Sequence, residues 1–134
     1  MNFGNVSITG SLNGRVGTEK DCIVSDILNK LLLGDIEFPE YETDALFPNR
    51  LTENLRSPNS FGSRILELCK SSGLINCSGR FGQDSSKITF SNKNGCSIID
   101  YLLMSHDSFY NTINTFKVCD FCTFSCHAPL HVEI

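Results

Sequence analysis

Residues 96–105, CSIIDYLLMS, are the stretch whose reading decides how this chain is organised. Ser97 to Met104 is a short apolar run of β character, which reads as a buried strand. Just before it, Asn92-Lys93-Asn94-Gly95 has the composition of a tight turn, and Lys87-Ile88-Thr89-Phe90 alternates polar and apolar as a half-buried strand does. Together they predict a hairpin that pairs 87–90 with the apolar run. Asp100 is the discordant residue: a carboxylate between Ile99 and Tyr101 needs a partner if the strand is buried.

Working outward, the clearest helix lies upstream. Asn59 or Ser60 can cap it, Ile65, Leu66, Leu68 and Cys69 form its apolar stripe, and Gly73 ends it. Leu74-Ile75-Asn76-Cys77 reads as a strand that leads into the loop Ser78–Asp84. Nearer the start, Val6-Ser7-Ile8-Thr9 is a β-branched alternation that delivers the turn-rich stretch Gly10–Gly17. Ser25 is placed to cap a helix through Leu33, with Gly34 as its stop and the apolar cluster Leu28–Leu33 in the core. Residues 35–58, with Pro39, Pro48 and Pro58, read as a long irregular connection. Downstream, His106 and Asp107 are expected in an exposed loop, and Asn114–Val118 and Leu130–Ile134 both alternate. Interleaved strands, helices and hairpins predict an α/β (α+β) domain in which a mixed sheet is covered by helices.

Length fits this reading: 134 residues make one domain, 1–134, able to bury its own core. Hydrophobic residues at 40% and charged residues at 19% place it among folded globular chains rather than disordered ones. No run approaches the ~20 apolar residues of a membrane span, and MNFGNVSITG lacks the basic and apolar regions of a signal peptide. No membrane association is expected, and the location expected is intracellular, nuclear or cytoplasmic. A net charge of -4 argues against a binder that relies on broad phosphate neutralisation, though it leaves room for a local basic groove. The seven cysteines read mostly as free thiols. Three of them, Cys119, Cys122 and Cys126, fall close to His127 and His131, and Cys119-x-x-Cys122 has a workable zinc spacing. The interval between the ligand pairs is shorter than zinc fingers usually have.

Four stretches in order carry a resemblance: GSLNGRVG at 10–17, NSFGSRILELCKSSGLINCSGRFGQD at 59–84, CSIIDYLLMS at 96–105 and SCHAPLHVEI at 125–134. Together they resemble the later part of the endonuclease/exonuclease/phosphatase domain, in the version that non-LTR retrotransposons carry beside a reverse transcriptase. The resemblance runs from about residue 4 to the C-terminus. It implies a partial two-layer β-sandwich flanked by helices, a DNase I-like fold lacking its N-terminal strands, with loops that converge on one site. It also implies Mg2+-dependent hydrolysis of DNA phosphodiesters. Such chemistry needs carboxylates for the metal, a group that takes a proton from water, and donors for the charge that grows on phosphate oxygens. Carried over by position, Asn13 hydrogen-bonds the phosphate, Asp100 receives the imidazole N–H of His127 and orients it, and His127 contacts or protonates the phosphate. Arg80, in the Ser-Gly-Arg loop, either approaches substrate or braces its loop to Asp84.

Two positions depart from the family. The aspartate of its Gly-Asp-x-Asn loop is Ser11 here, and the aspartate of its Ser-Asp-His is Cys126. A serine hydroxyl is not acidic enough to serve as a base at neutral pH, and a thiol prefers softer metals than Mg2+. The family's first half, with its metal-binding glutamate, has no counterpart in the sequence, and a half-sandwich with uncovered edges is expected to pair with a missing N-terminal half or to self-associate. Three readings follow. One is an impaired or inactive descendant of a DNA-nicking enzyme. Another is a non-catalytic module that keeps the fold as a nucleic-acid or protein interaction surface. The third is a fragment that works with an upstream partner.

Overall fold

The computed structural model describes residues 4–22 and 50–134. The helix expected from Ser25 to Leu33, and the irregular stretch as far as residue 49, lie outside the described residues. Within them the chain is a mixed α/β arrangement of small antiparallel sheets and two helices. In order these are β1 (Ser7–Ser11), α1 (Ser60–Ser72), β2 (Ile75–Asn76), a 3-10 turn at Gln83–Ser85, β3 (Phe90–Asn92), β4 (Gly95–Ser97), β5 (Asp100–Met104), α2 (His106–Asn111), β6 (Thr115–Val118) and β7 (Leu130–Glu133). The sheets run β1-β5-β2, β3-β4 and β6-β7.

The apolar run is central because it is buried on both sides. β5 lies between β1 and β2, with Ser7 opposite Met104, Ser11 opposite Asp100, and Ile75 opposite Met104. Side chains alternate along a strand. Tyr101 and Leu103 therefore pack with Val16 and with Ile65, Leu66 and Cys69 of α1. Leu102 and Met104 pack on the other side with Ile75, Phe109, Ile113 and Phe116. All five β5 residues are buried, which explains an uninterrupted apolar run in an antiparallel sheet. A slip of one residue would turn Asp100 from the β6 side toward the helix.

Helix α1 starts and stops where its sequence says. The Asn59 side chain accepts from Gly62 N at 2.8 Å, and Gly73 closes the helix at φ 74, its N–H donating to Cys69 O. Ile65, Leu66 and Cys69 are buried as expected, but Leu68 is 40% exposed. It lies roughly 110° around the helix from the centre of that stripe, too far to reach the sheet. The first turn of α1 meets the loop after β1 so closely that a Cβ on Gly62 would come within 1.8 Å of Arg15 O.

The expected hairpin forms, but its first strand starts three residues later, at Phe90, and its second ends at Ser97. β3 pairs with β4 through Phe90↔Ser97, Ser91↔Cys96 and Asn92↔Gly95, around the turn at Lys93-Asn94. Beyond Ser97 the chain leaves that sheet at Ile98-Ile99 and joins the other as β5. Thr89 causes the break: its Oγ1 accepts from Ile99 N at 3.0 Å and from Asp100 N at 3.1 Å, satisfying amides that a continued hairpin would have used. The Tyr101 hydroxyl adds a second tie, within 2.7 Å of Gly14 O and 2.8 Å of Ile98 O. Burial pushes that phenol up to about 12.

Two further expectations are resolved. His106 opens helix α2 rather than sitting in a loop, because Ser105 takes an extended N-cap conformation and Phe109 anchors the helix in the core. The two terminal alternating stretches pair with each other, from Thr115↔Glu133 to Val118↔Leu130.

Candidate functional site

Asp100 stands at the first position of β5, on the face that carries Leu102 and Met104, and so points toward the layer built from the chain's C-terminal part. His127 reaches it from there. The segment around His127 is pinned along β3 by Ser91 N→Cys126 O at 2.9 Å, Ala128 N→Thr89 O at 2.7 Å and the antiparallel bridge Phe90↔His127. The imidazole also packs on the Phe90 ring, with centroids 5.0 Å apart. Its Nδ1 lies 3.0 Å from Oδ2 and 3.1 Å from Oδ1 of Asp100. A carboxylate has no proton to give, so Nδ1–H donates and the tautomer is set, making Nε2 the nitrogen that can meet a ligand. The Asp100 side chain is 11% exposed and that of His127 is 41% exposed, a buried anchor with an open working end.

The β1–β5 register brings in the next residues. Ser11 is directly opposite Asp100, on the same face. Two residues on, Asn13 adopts φ 53, a left-handed conformation that asparagine tolerates better than most side chains. Ser11 Oγ approaches Asn13 Oδ1 at 3.4 Å. Asn59 then bolts this loop to α1, with its Nδ2 donating to Asn13 O at 3.3 Å and its Oδ1 accepting from Arg15 N at 2.9 Å. Asn13, Ser11 and Cys126 are all exposed. Four residues from three remote stretches, Ser11, Asn13, Asp100 and His127, thus share one corner of the molecule.

Thr89 is the residue that sequence reading missed. It is 1% exposed, and it bonds the starts of both arms of the dyad: its Oγ1 holds Asp100 N, its carbonyl holds Ala128 N, and its N–H reaches Ser97 O at 3.1 Å. In sequence it is only one polar position of an alternating strand. A threonine followed ten residues later by the first amide of an apolar run carries no signal of its own.

Arg80 is placed elsewhere. Its side chain is 1% exposed and grips Asp21 with two parallel bonds of 2.9 Å, while Arg50 stands 3.6 Å from the same carboxylate. The bracing role holds in kind but with Asp21 as partner instead of Asp84, which pairs with Lys87 at 3.0 Å. Burial raises the Asp21 pKa, but the hydrogen bonds and charge of Arg80, with the charge of Arg50, outweigh it and hold the carboxyl below its usual range.

Metal ligation was tested on the donor set. Among the described residues no three His, Cys, Asp or Glu side chains gather where they could hold a metal ion. The C-terminal cysteines and histidines are spread along a hairpin: Cys119 N donates to Pro129 O at 2.8 Å, and His131 faces Lys117 in the β6–β7 register. Mg2+ takes oxygen ligands, and here Asp100 directs both carboxylate oxygens at His127 while positions 11 and 126 offer a hydroxyl and a thiol. The described residues do not fit Mg2+. No protein-family model matches the chain, and no curated protein or solved structure matches it either.

Proposed function

We propose that this chain carries the phosphate-facing half of a phosphodiesterase site and uses it to bind nucleic acid, DNA in the first instance, without hydrolysing it. One observation carries the reading: the fold gathers Ser11, Asn13, Asp100 and His127, separated by up to 116 positions, into one partly open corner. Asn13, Asp100 and His127 are positions at which the sequence resembles retrotransposon endonucleases of the endonuclease/exonuclease/phosphatase type, and Ser11 stands where that family has an aspartate. The layering of β5 between α1 on one side and β6 with α2 on the other supports the DNase I-like, two-layer architecture that goes with it.

In this reading the amide of Asn13 donates to a phosphate oxygen, and His127 donates through Nε2–H as the imidazolium that forms against the bound phosphate, with Asp100 accepting from Nδ1–H and holding the ring in place. Hydrolysis needs, in addition, a base for water and a counter-charge for the transition state. Ser11 and Cys126 supply no carboxylate, and the thiol of Cys126 is a poor ligand for a hard metal. Binding without cleavage is therefore the reading the donor set favours over impaired catalysis.

Supercoiled plasmid incubated with the purified chain in Mg2+, with a chelator control and His127→Ala, tests the catalytic side. The expected result is no nicking, together with oligonucleotide binding that weakens as salt rises and weakens further in His127→Ala. Nicking that requires both Mg2+ and His127 would establish catalysis and overturn the non-hydrolytic assignment. Failure to bind any oligonucleotide would remove the phosphate site altogether.

A further inference from the structure

The connection between β6 and β7 divides into two arms. Its second arm is fixed, through Cys126, His127 and Ala128 against β3. Its first part, from Asp120 to Ser125, is exposed at every residue, with a turn at Thr123-Phe124. Phe124 is 96% exposed at that turn and Phe121, three positions earlier on the same loop, is 44% exposed. Single exposed apolar residues are ordinary, whereas here two exposed phenylalanines lie on the short loop that delivers His127. Phe124 and His127 are three positions apart, with a Cα span of at most about 10–11 Å, so both belong to one neighbourhood.

The chemistry of the partner follows from charge. A chain with net charge -4 gains little from general attraction to a polyanion. Nucleic-acid affinity then draws on uncharged contacts beside the phosphate contact at His127, and base–aromatic stacking, worth about 1–3 kcal/mol per base, is one that tolerates any sequence. An intact duplex hides its base faces, whereas an unpaired nucleotide offers them.

We propose that Phe124, with Phe121 on the same loop, is a stacking platform for an unpaired nucleobase whose backbone phosphate is held at His127, so that the partner of this corner is single-stranded or locally unpaired nucleic acid. The proposal rests on the phosphate-binding reading above and adds the state of the nucleic acid.

Fluorescence anisotropy of the full chain with labelled oligothymidylate, the same backbone bearing a run of abasic sites, and a duplex of equal length tests it. The expected order is oligothymidylate tightest, with Phe124→Ala weakening that complex roughly tenfold, Phe124→Trp restoring it, and the abasic strand insensitive to either change. Because Phe124 is exposed, circular dichroism of Phe124→Ala should match the parent, which keeps a binding loss interpretable. Equal affinity for the base-bearing and abasic strands, with His127→Ala weakening both, would overturn the platform while leaving the phosphate site. No binding by any strand would overturn both. A Phe124→Ala change that abolishes self-association in sedimentation while leaving oligothymidylate affinity intact would reassign the loop to contact between copies of the chain and overturn the proposal.

Discussion

Two carboxylates of this molecule are nearly buried and face basic partners, yet they belong to different kinds of structure. Asp21 is 4% exposed and Asp100 is 8% exposed. The partners of Asp21, Arg80 and Arg50, have side chains 1% and 3% exposed, whereas the partner of Asp100, His127, is 41% exposed. The first cluster is closed, and its guanidiniums direct further donors at backbone carbonyls, Arg80 at Asn76 O and Arg50 at Gly17 O and Glu19 O. The second is closed at one end and open at the other, which is what a binding group needs: an anchor that fixes direction and a tip that meets solvent. Burial of a charge alone does not mark a site; an exposed partner does.

The largest effect should come from opening the closed cluster. Arg80→Met removes the two-bond partner of Asp21 and leaves a buried carboxylate with the more distant Arg50, an expected cost of about 3–5 kcal/mol in denaturant unfolding. A loss below about 1 kcal/mol would put the cluster on a par with surface ion pairs and dissolve the contrast. Acid gives an independent check. The folded-state pKa of Asp21 lies below its ordinary 3.8, so the stability it contributes is complete above that value and is lost as pH falls through the lower folded one. In Arg80→Met burial dominates and this contribution disappears, so stability should fall less steeply than in the parent as pH drops below about 4.

An intermediate effect should come from the residue that connects the open pair to the framework. Thr89→Val keeps the β-branched shape but removes the hydroxyl that accepts from Ile99 N and Asp100 N, with an expected loss of about 1–3 kcal/mol in the same measurement. If the dyad depends on this support, oligonucleotide binding should weaken with it even under conditions where the variant is fully folded. Unchanged binding in a folded Thr89→Val chain would show that Asp100 and His127 find each other without help.

How far the sequence foretold these two regions differs for physical reasons. Helix α1 was legible because its signals are local: Asn59 bonds an amide three residues away, and Gly73 takes a φ that other residues resist. The Asn92–Gly95 turn was legible for the same reason. The end of the hairpin was not, since the break at Ile98-Ile99 is made by Thr89 and Tyr101 through contacts that no local pattern encodes. Leu68 was placed inward by its apolar character and outward by its angle on the helix. The pairing of Asp100 with His127 came only from resemblance, though a carboxylate inside an apolar run already demanded some partner. The partner of Arg80 was out of reach, because 59 positions separate it from Asp21 while Asp84 stands in its own loop.

The smallest effect on stability should accompany the clearest effect on binding, and it falls on the dyad itself. Asp100→Asn preserves size and the cross-strand position opposite Ser11, and its partner is half in solvent, so unfolding should change by less than about 1 kcal/mol. What changes is the meaning of the contact. A carboxylate can only accept from Nδ1, which fixes the proton on that nitrogen; an amide presents an oxygen or an NH2 group and accommodates either tautomer. Nitrogen NMR of the His127 ring, recorded at a pH where the ring is neutral, should then show a shift from the Nδ1–H tautomer to a mixture, and oligonucleotide affinity should fall roughly threefold to tenfold because an amide does not support the imidazolium that donates to phosphate. A stability loss as large as that of Arg80→Met, with the tautomer unmoved, would make Asp100 a second structural anchor like Asp21. A shifted tautomer with near-parent stability would make the distinction between the two carboxylates one of mechanism, because only at Asp100 does the state of the partner matter more than its presence.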